Sequence, residues 1–280
     1  MNAILGGLGA ACCWAVATLC TSRAARMIGV PSVLAWVMLV GFLGLAPLAL
    51  AGGVPDAEAS TWIWLVAVGV ANIVGLPLVY AGLRRGKVGI VAAIASTEGA
   101  VAAAIAIVAG ESIGPAVGLS LAVIAGGVFL AALAPDLGPL NEDARRAAVL
   151  SAGAALMFGF GLYATGHVSG DVPAVWVALP PRLLGVAVVA LPLGATGRLR
   201  LTRPAIPLVF TSGVCEVIGF LSFTVGARHG IAVTAVLAAQ FAALAALGAF
   251  LVFRERLGSL QLAGVATIVV GVAALTALRA

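Results

Sequence analysis

The sequence predicts an all-α, polytopic membrane protein whose ten transmembrane helices form two inverted five-helix repeats. Three observations carry this expectation. The 280 residues are 63% hydrophobic and only 9% charged, with a mean hydropathy of +1.21, which is too apolar for a soluble domain of ordinary composition. Ten stretches of about 20 mostly apolar residues, the length that crosses the hydrocarbon core, follow one another with short breaks. Sliding the chain against itself by 144 residues brings one half into register with the other.

Span 1 covers residues 2–22. It is apolar from Asn2 and lacks the charged n-region and small-residue cleavage site of a removable signal peptide, so it is expected to stay in the protein. Trp14, Thr18 and Thr21 stand at i, i+4 and i+7, one helical face with an aromatic head. Cys12, Cys13 and Cys20, with Cys215 far along the chain, show no metal-ligand spacing and read as small packing residues. Span 2 covers 33–52. Span 3, 60–83, carries Asn72 at depth and Tyr80 two turns beyond it, about 80° around the helix. Span 4, 87–109, holds Ser96, Thr97 and Glu98 near its middle, and span 5 covers 113–133.

The polar stretch APDLGPLNEDARR (134–146) marks a joint, since Pro, Gly and mixed charges favour a loop. Residues 1–133 are thus expected to form the first repeat, 134–145 a cytoplasmic linker and 146–280 the second repeat. Span 6, 146–168, mirrors span 1 with Phe158, Leu162 and Thr165, and adds Tyr163 and His167. Span 7, 172–196, contains Arg182; span 8, 204–227, contains Glu216 and Thr224; span 9, 230–253, contains Gln240; span 10 covers 258–278.

The 144-residue offset serves the whole chain without an insertion. It lays YAGLRRGKVG (80–89) on TVGARHGIAV (224–233), matching Gly82 with Gly226, Arg84 with Arg228 and Gly86 with Gly230. It also places Glu111 on Glu255, Asn72 on Glu216, Ser96 on Gln240 and Trp14 on Phe158. Five spans per half is an odd number, so the second copy enters the membrane from the side opposite to the first. Inverted repeats recur in secondary transporters, which hold substrate near the midplane between the halves.

Twelve of the fifteen basic residues, from Arg23 to Arg256, fall in loops after odd-numbered spans. Cytoplasmic loops collect Lys and Arg, so these loops are expected inside and both termini periplasmic or extracellular. The same scatter argues against nucleic acid as a partner, because no basic face is gathered.

A charged side chain at mid-membrane costs about 2.5 to 3.5 kcal/mol on insertion scales, so intramembrane polar residues ask for a compensating role. Few are present. Asn72, Tyr80, Ser96, Glu98, Glu216 and Gln240 cluster in spans 3, 4, 8 and 9, the elements expected to build a central pathway, with Trp14, Phe158 and Tyr163 as aromatic wall. Ser96, Thr97 and Thr224 equally suit hydrogen bonding between helices. Trp14 and Phe158 stand between packing and ligand contact, and Glu98 between a working carboxylate and a protonated one bonded to a carbonyl. Arg182 has three readings open: an ion pair with Glu98 or Glu216, a water channel, or snorkelling to the headgroups. Glu111 and Glu255 end spans 4 and 9 at the boundary and read as structural or gate-forming residues. The runs AVAAAIA (100–106) and AALAALGAF (242–250) predict close approach of spans 4 and 9 in a central seam.

The segment FRERLGSLQLAGVATIVVGVAAL (253–275) resembles the fourth-to-fifth helix junction of the drug/metabolite transporter superfamily, EamA branch, and AGESIGPAVGLSLAVIAGGVFLAAL (109–133) resembles it without the Gln. LPPRLLGVAVVALPL (179–193) is similar to the family's Arg-containing second repeat helix, whereas WVMLVGFLGLAPLAL (36–50) lacks the Arg. The family commonly has a kinking Pro thirteen residues before its Glu; here Glu98 and Ala242 stand there, so any kink must come from elsewhere, with Gly99 the nearest candidate.

The resemblance implies an exporter of small metabolites in the bacterial inner membrane, and the similarity to the aromatic amino-acid exporter branch implies amino-acid substrates. The alternative it leaves open is export of drug-like or cationic metabolites by proton antiport, with the proton as coupling ion. The expected partners are therefore a small molecule and the lipid bilayer, with no cofactor. No catalytic set converges: the acids are dispersed, and His167 and His229 stand beside no nucleophile.

Overall fold

The computed structural model describes residues 1–83, 85, 91, 94–132, 142–253 and 259–279. Its helices are α1 (Asn2–Ile28), α2 (Val30–Ala51), α3 (Ala59–Leu83), α4 (Glu98–Val108), α5 (Pro115–Ala132) and α6 (Glu142–His167). They continue as α7 (Ala174–Gly185), a π-helical turn (Val186–Ala190), α8 (Leu191–Ala195), α9 (Ile206–Ala227), α10 (Ile231–Ala238), α11 (Phe241–Phe253) and α12 (Ser259–Arg279). Among the described residues six helices are long and apolar enough to cross a membrane, and four shorter apolar helices accompany them. Span 7 is α7, the π turn and α8 in one rod; span 9 is α10 followed by α11.

Two boundaries differ from expectation. Span 1 runs on to Ile28, taking Arg23 and Arg26 into the helix, and stops where Gly29 adopts a positive φ of 82°. Span 6 starts at Glu142, inside the segment assigned to the linker, because Glu142 and Asp143 occupy a first turn where the helix dipole favours acids. Residues 134–141 of that linker lie outside the described residues, as do Arg84, Lys87, Arg254, Glu255 and Arg256.

The packing has the symmetry that the offset requires. Helix α1 lies along α9 while α6 lies along α3, its repeat counterpart; α2 packs on α9 as α7 packs on α3; and α5 pairs with α12. The reciprocity extends to single atoms. A Cβ at Gly127 would sit 2.9 Å from Ile268, and one at its counterpart Gly271 would sit 2.6 Å from Ile124. In lipid there is no hydrophobic drive between helices, so such small-residue notches are what allow close van der Waals packing.

Spans 4 and 9 are both interrupted, at residues 96–97 and 239–240. The breaks share one counterpart pair under the 144-residue shift, Ser96 with Gln240, and neither contains Pro or Gly. In span 4 the Thr97 hydroxyl donates to the Ile94 carbonyl, 2.7 Å, capturing an acceptor the next turn would use. In span 9 the Gln240 amide closes a tight turn on Leu237. Gly99, the expected hinge, instead opens a contact: a Cβ there would lie 2.5 Å from the Ala235 carbonyl oxygen.

The break also moves the expected seam. Helix α4 packs on α10, whereas α11, which contains the small-residue run 242–250, turns away onto α1, where Leu19 fills the notch at Gly248. The central seam therefore joins 98–108 to 231–238.

Candidate functional site

A cavity of about 230 Å³ lies where the two repeats meet. Helix α1 supplies Trp14, Thr18 and Thr21, the face that the sequence spacing marked. From α6 come Phe158 and Leu162, its counterparts. Asn72 enters from α3 and Glu216 from α9, again counterparts, and Glu98 stands in the first turn of α4 at the break in span 4.

Among the described residues Arg182 is the largest fully buried side chain, 1% exposed. Its guanidinium donates to a Glu216 carboxylate oxygen at 3.3 Å and lies 5.5 Å over the Phe220 ring. Gly41 of α2 makes room for it: a Cβ there would meet Arg182 Cδ at 2.9 Å. The pair resolves the open readings of Arg182 in favour of an ion pair with Glu216, whose own side chain is 33% exposed toward the cavity. Glu98 has no hydrogen-bond or ion-pair partner among the described residues.

Three lining groups have buried polar atoms without a partner among the described residues: Trp14 Nε1, Arg182 Nε and Asn72 Oδ1. Buried donors and acceptors are nearly always satisfied, so an unsatisfied set around one cavity calls for an explanation. Here two are donors and one is an acceptor.

The aromatic walls rest on glycine notches. A Cβ at Gly219 would lie 2.7 Å from Trp14 Nε1, and one at Gly75 would lie 2.5 Å from Phe158 Cε1. Each ring comes from the first span of one repeat and presses into the third span of the other. Trp14 also stacks on Phe223 with centroids 6.1 Å apart and meets Phe241 edge-on at 6.3 Å. Both rings therefore pack and line the cavity at once.

Other expected site residues fall elsewhere. Tyr163 is buried outside the cavity, in a ring cluster with Trp64 and His167. Ser96 and Gln240 are buried at the two helix breaks and do not line it. The Tyr80 side chain lies outside the described residues. Thr97 and Thr224 bond within their own helices, to Ile94 and Phe220 carbonyls, rather than between helices, because short hydroxyl side chains reach the preceding turn more easily. Interhelical hydroxyl bonds include Thr21 with Ser212, 2.7 Å, Ser212 to the Ala17 carbonyl and Thr234 to the Ala3 carbonyl.

Met38, Val68, Leu76, Phe220 and Phe241 also line the cavity without having been singled out from the sequence. A signal was present for three of them. Met38 is the 144-residue counterpart of Arg182, and Leu76 and Phe220 are counterparts one turn beyond Asn72 and Glu216.

The face bearing the N-terminus, here the N-face, is closed. Leu65, Val168, Val172, Val177 and Phe223 form a buried layer on that side of the cavity. Above it Arg228 donates to the Ser169 and Val172 carbonyls, and Trp176 Nε1 donates to Gly53 O. Glu111, expected as a structural or gate residue, accepts backbone N–H bonds from Ile231 and Ala232 at 3.1 Å, capping α10 from the end of span 4. On the opposite side the lining continues to Thr21, Leu34 and Val37, toward the turn at Gly29.

Residues 1–133 match the model of the EamA-like transporter family. Among solved structures 29 chains match. One, titled only "Crystal structure of protein", aligns over 99% of this chain and 96% of its own with a TM-score of 0.79 at 17% identity, which shows a shared fold. No curated protein matches the chain.

Proposed function

We propose that the chain is a secondary transporter that exports small zwitterionic metabolites, amino acids with apolar or aromatic side chains, by alternating access at the central cavity. The observation that carries this reading is the set of unsatisfied groups around that cavity. Glu98 and Asn72 Oδ1 offer acceptors for an ammonium; Trp14 Nε1 and Arg182 Nε offer donors for a carboxylate; Phe158, Phe220 and Phe241 offer a wall. The match of residues 1–133 to a transporter family supports the same class of function.

In this reading the first repeat is 1–133 and the second 146–280, the Arg-rich loops face the cytoplasm of a bacterial inner membrane, and the N-face is periplasmic. The cavity lining then extends toward the cytoplasm and ends beneath a packed layer on the periplasmic side, the arrangement expected of a state that loads an exporter. Glu111 and Arg228 hold the periplasmic gate. Release would break their bonds to Ile231, Ala232, Ser169 and Val172.

The test is counterflow of a labelled aromatic amino acid in proteoliposomes, with three competitors: the unlabelled amino acid, its ester, and its deaminated acid. A zwitterion site loses about tenfold or more in apparent affinity when either charged group is missing, since a charge-assisted bond contributes about 1.5 to 3 kcal/mol. Equal competition by all three would overturn it. The unpartnered Glu98 favours a second reading, cation export by proton antiport. An ester that competes better than the zwitterion would support that reading, and Glu98→Gln would then abolish pH-driven uptake while leaving counterflow.

A further inference from the structure

A second depression, about 480 Å³, lies at the opposite face where α3 ends and α6 begins. It is lined by Arg85, Glu142, Arg145, Arg146, Val149 and Leu150: three guanidiniums, one carboxylate and two apolar side chains. All three arginines are exposed. Just inside the bundle the two helices touch, since a Cβ at Gly82 would meet the Ser151 hydroxyl at 2.9 Å and the Ala147 carbonyl at 3.4 Å. The arginines therefore stand at the rim of a helix junction. Val149, 66% exposed, continues the depression along the bundle's outer surface.

The repeat supplies an internal control on what this junction needs. Shifted by 144 residues, Arg85 becomes His229 and Arg146 becomes Asn2, and at the N-face those two are joined by a contact between Asn2 Nδ2 and His229 Nε2 at 3.2 Å. At these two positions the counterpart junction closes through an amide and an imidazole, so packing does not require guanidinium groups there. Nor are they consumed locally. Among the described residues Glu142 pairs only with Arg146, in an i,i+4 contact in which the Arg146 and Glu142 side chains are 63% and 76% exposed, a kind that contributes little. Arg85 donates one bond to Ala81 O, and Arg145 has no carboxylate partner among the described residues.

We infer that this depression binds the headgroup phosphate of an anionic phospholipid, with an acyl chain running along Val149. Guanidinium forks match phosphate oxygens, and basic pockets between spans at a membrane boundary suit acidic headgroups. The occupant is a lipid rather than free phosphate because the apolar flank adjoins the cations, on the bundle's outer wall. The site is separate from the central cavity and stands whether or not that cavity carries amino acids.

The test is lipid retention by the purified full-length protein, read by native mass spectrometry in neutral detergent with phosphatidylglycerol or phosphatidylcholine added. Phosphatidylglycerol is expected to be retained at least tenfold better, and Arg85→Gln with Arg145→Gln to remove that preference. The control Arg198→Gln with Arg203→Gln, which neutralises exposed cations elsewhere on the same face, is expected to keep it. Equal retention of the two lipids, or equal loss in both double variants, would overturn the site as general surface charge. Displacement of phosphatidylglycerol by millimolar inorganic phosphate alone would overturn the lipid assignment in favour of a free anion.

Discussion

The two repeats share a frame and differ in chemistry. At the crossing of α2 and α7, Arg182 fills the notch at Gly41, and its counterpart Met38 fills the notch at Gly185. Where α9 carries Glu216, α3 carries Asn72; where span 4 carries Glu98, span 9 carries Ala242. The glycine pairs Gly41/Gly185, Gly75/Gly219 and Gly127/Gly271 and the ring position of Trp14 and Phe158 are repeated, while the charged positions of the cavity appear once each. Symmetry therefore builds the cavity, and departures from symmetry make it selective. A pseudo-twofold site with charges on both sides would hold like charges face to face in low dielectric, which is costly. Here a single cation faces two acids and pairs with one of them.

The sharpest way to break the comparison is to make the second repeat copy the first. Glu216→Asn alone leaves Arg182 buried without its counter-ion, and should destabilise by about 3 to 5 kcal/mol. Adding Arg182→Met removes the orphaned charge and should recover most of that stability, while flux stays lost; thermal unfolding of the single and double variants checks this. Next in size, Glu98→Gln should leave unfolding nearly unchanged and weaken zwitterion competition in counterflow about 10- to 100-fold, the equivalent of one charge-assisted bond.

The shared frame should respond evenly. Gly75→Ala and Gly219→Ala each drive a ring out of its notch, and each should cost about 1 to 3 kcal/mol, as overpacking does. A large difference between them would show that only one aromatic wall is structural. The smallest effect concerns Thr21 and its counterpart Thr165. Thr21 bonds Ser212, but Thr165 faces the repeat position occupied by Val68, and its hydroxyl is left without a partner among the described residues. Ser212→Ala should therefore cost about 0.6 kcal/mol, the average for an interhelical hydroxyl bond in lipid, and Val68→Thr should be neutral or slightly stabilising.

Much of this frame was legible in the sequence because span length and a constant offset are one-dimensional properties. The Trp14, Thr18, Thr21 face was legible for the same reason, since helical spacing alone brings it to one side. Partner choice was not. Thr97 and Thr224 turned to their own carbonyls, and Tyr163 to Trp64 and His167, because rotamer and neighbour decide such contacts and spacing does not. The break at 239–240 carries no Pro or Gly, so nothing in the residues announced that 242–250 would leave α4 for α1. Met38 and Phe220 lay within reach of the offset, but an apolar residue in an apolar span becomes visible only once its charged or cavity-lining twin is placed.

The inversion of the two repeats is what makes their comparison meaningful, and it can be measured directly. Val54 and Arg198 are exposed counterparts, each next to a glycine of positive φ, Gly53 at 77° and Gly197 at 64°. Single cysteines placed at these two positions in a cysteine-free protein can be labelled with a membrane-impermeant thiol reagent in vesicles of known sidedness. Labelling from opposite sides is the predicted result; labelling of both from the same side would contradict the account.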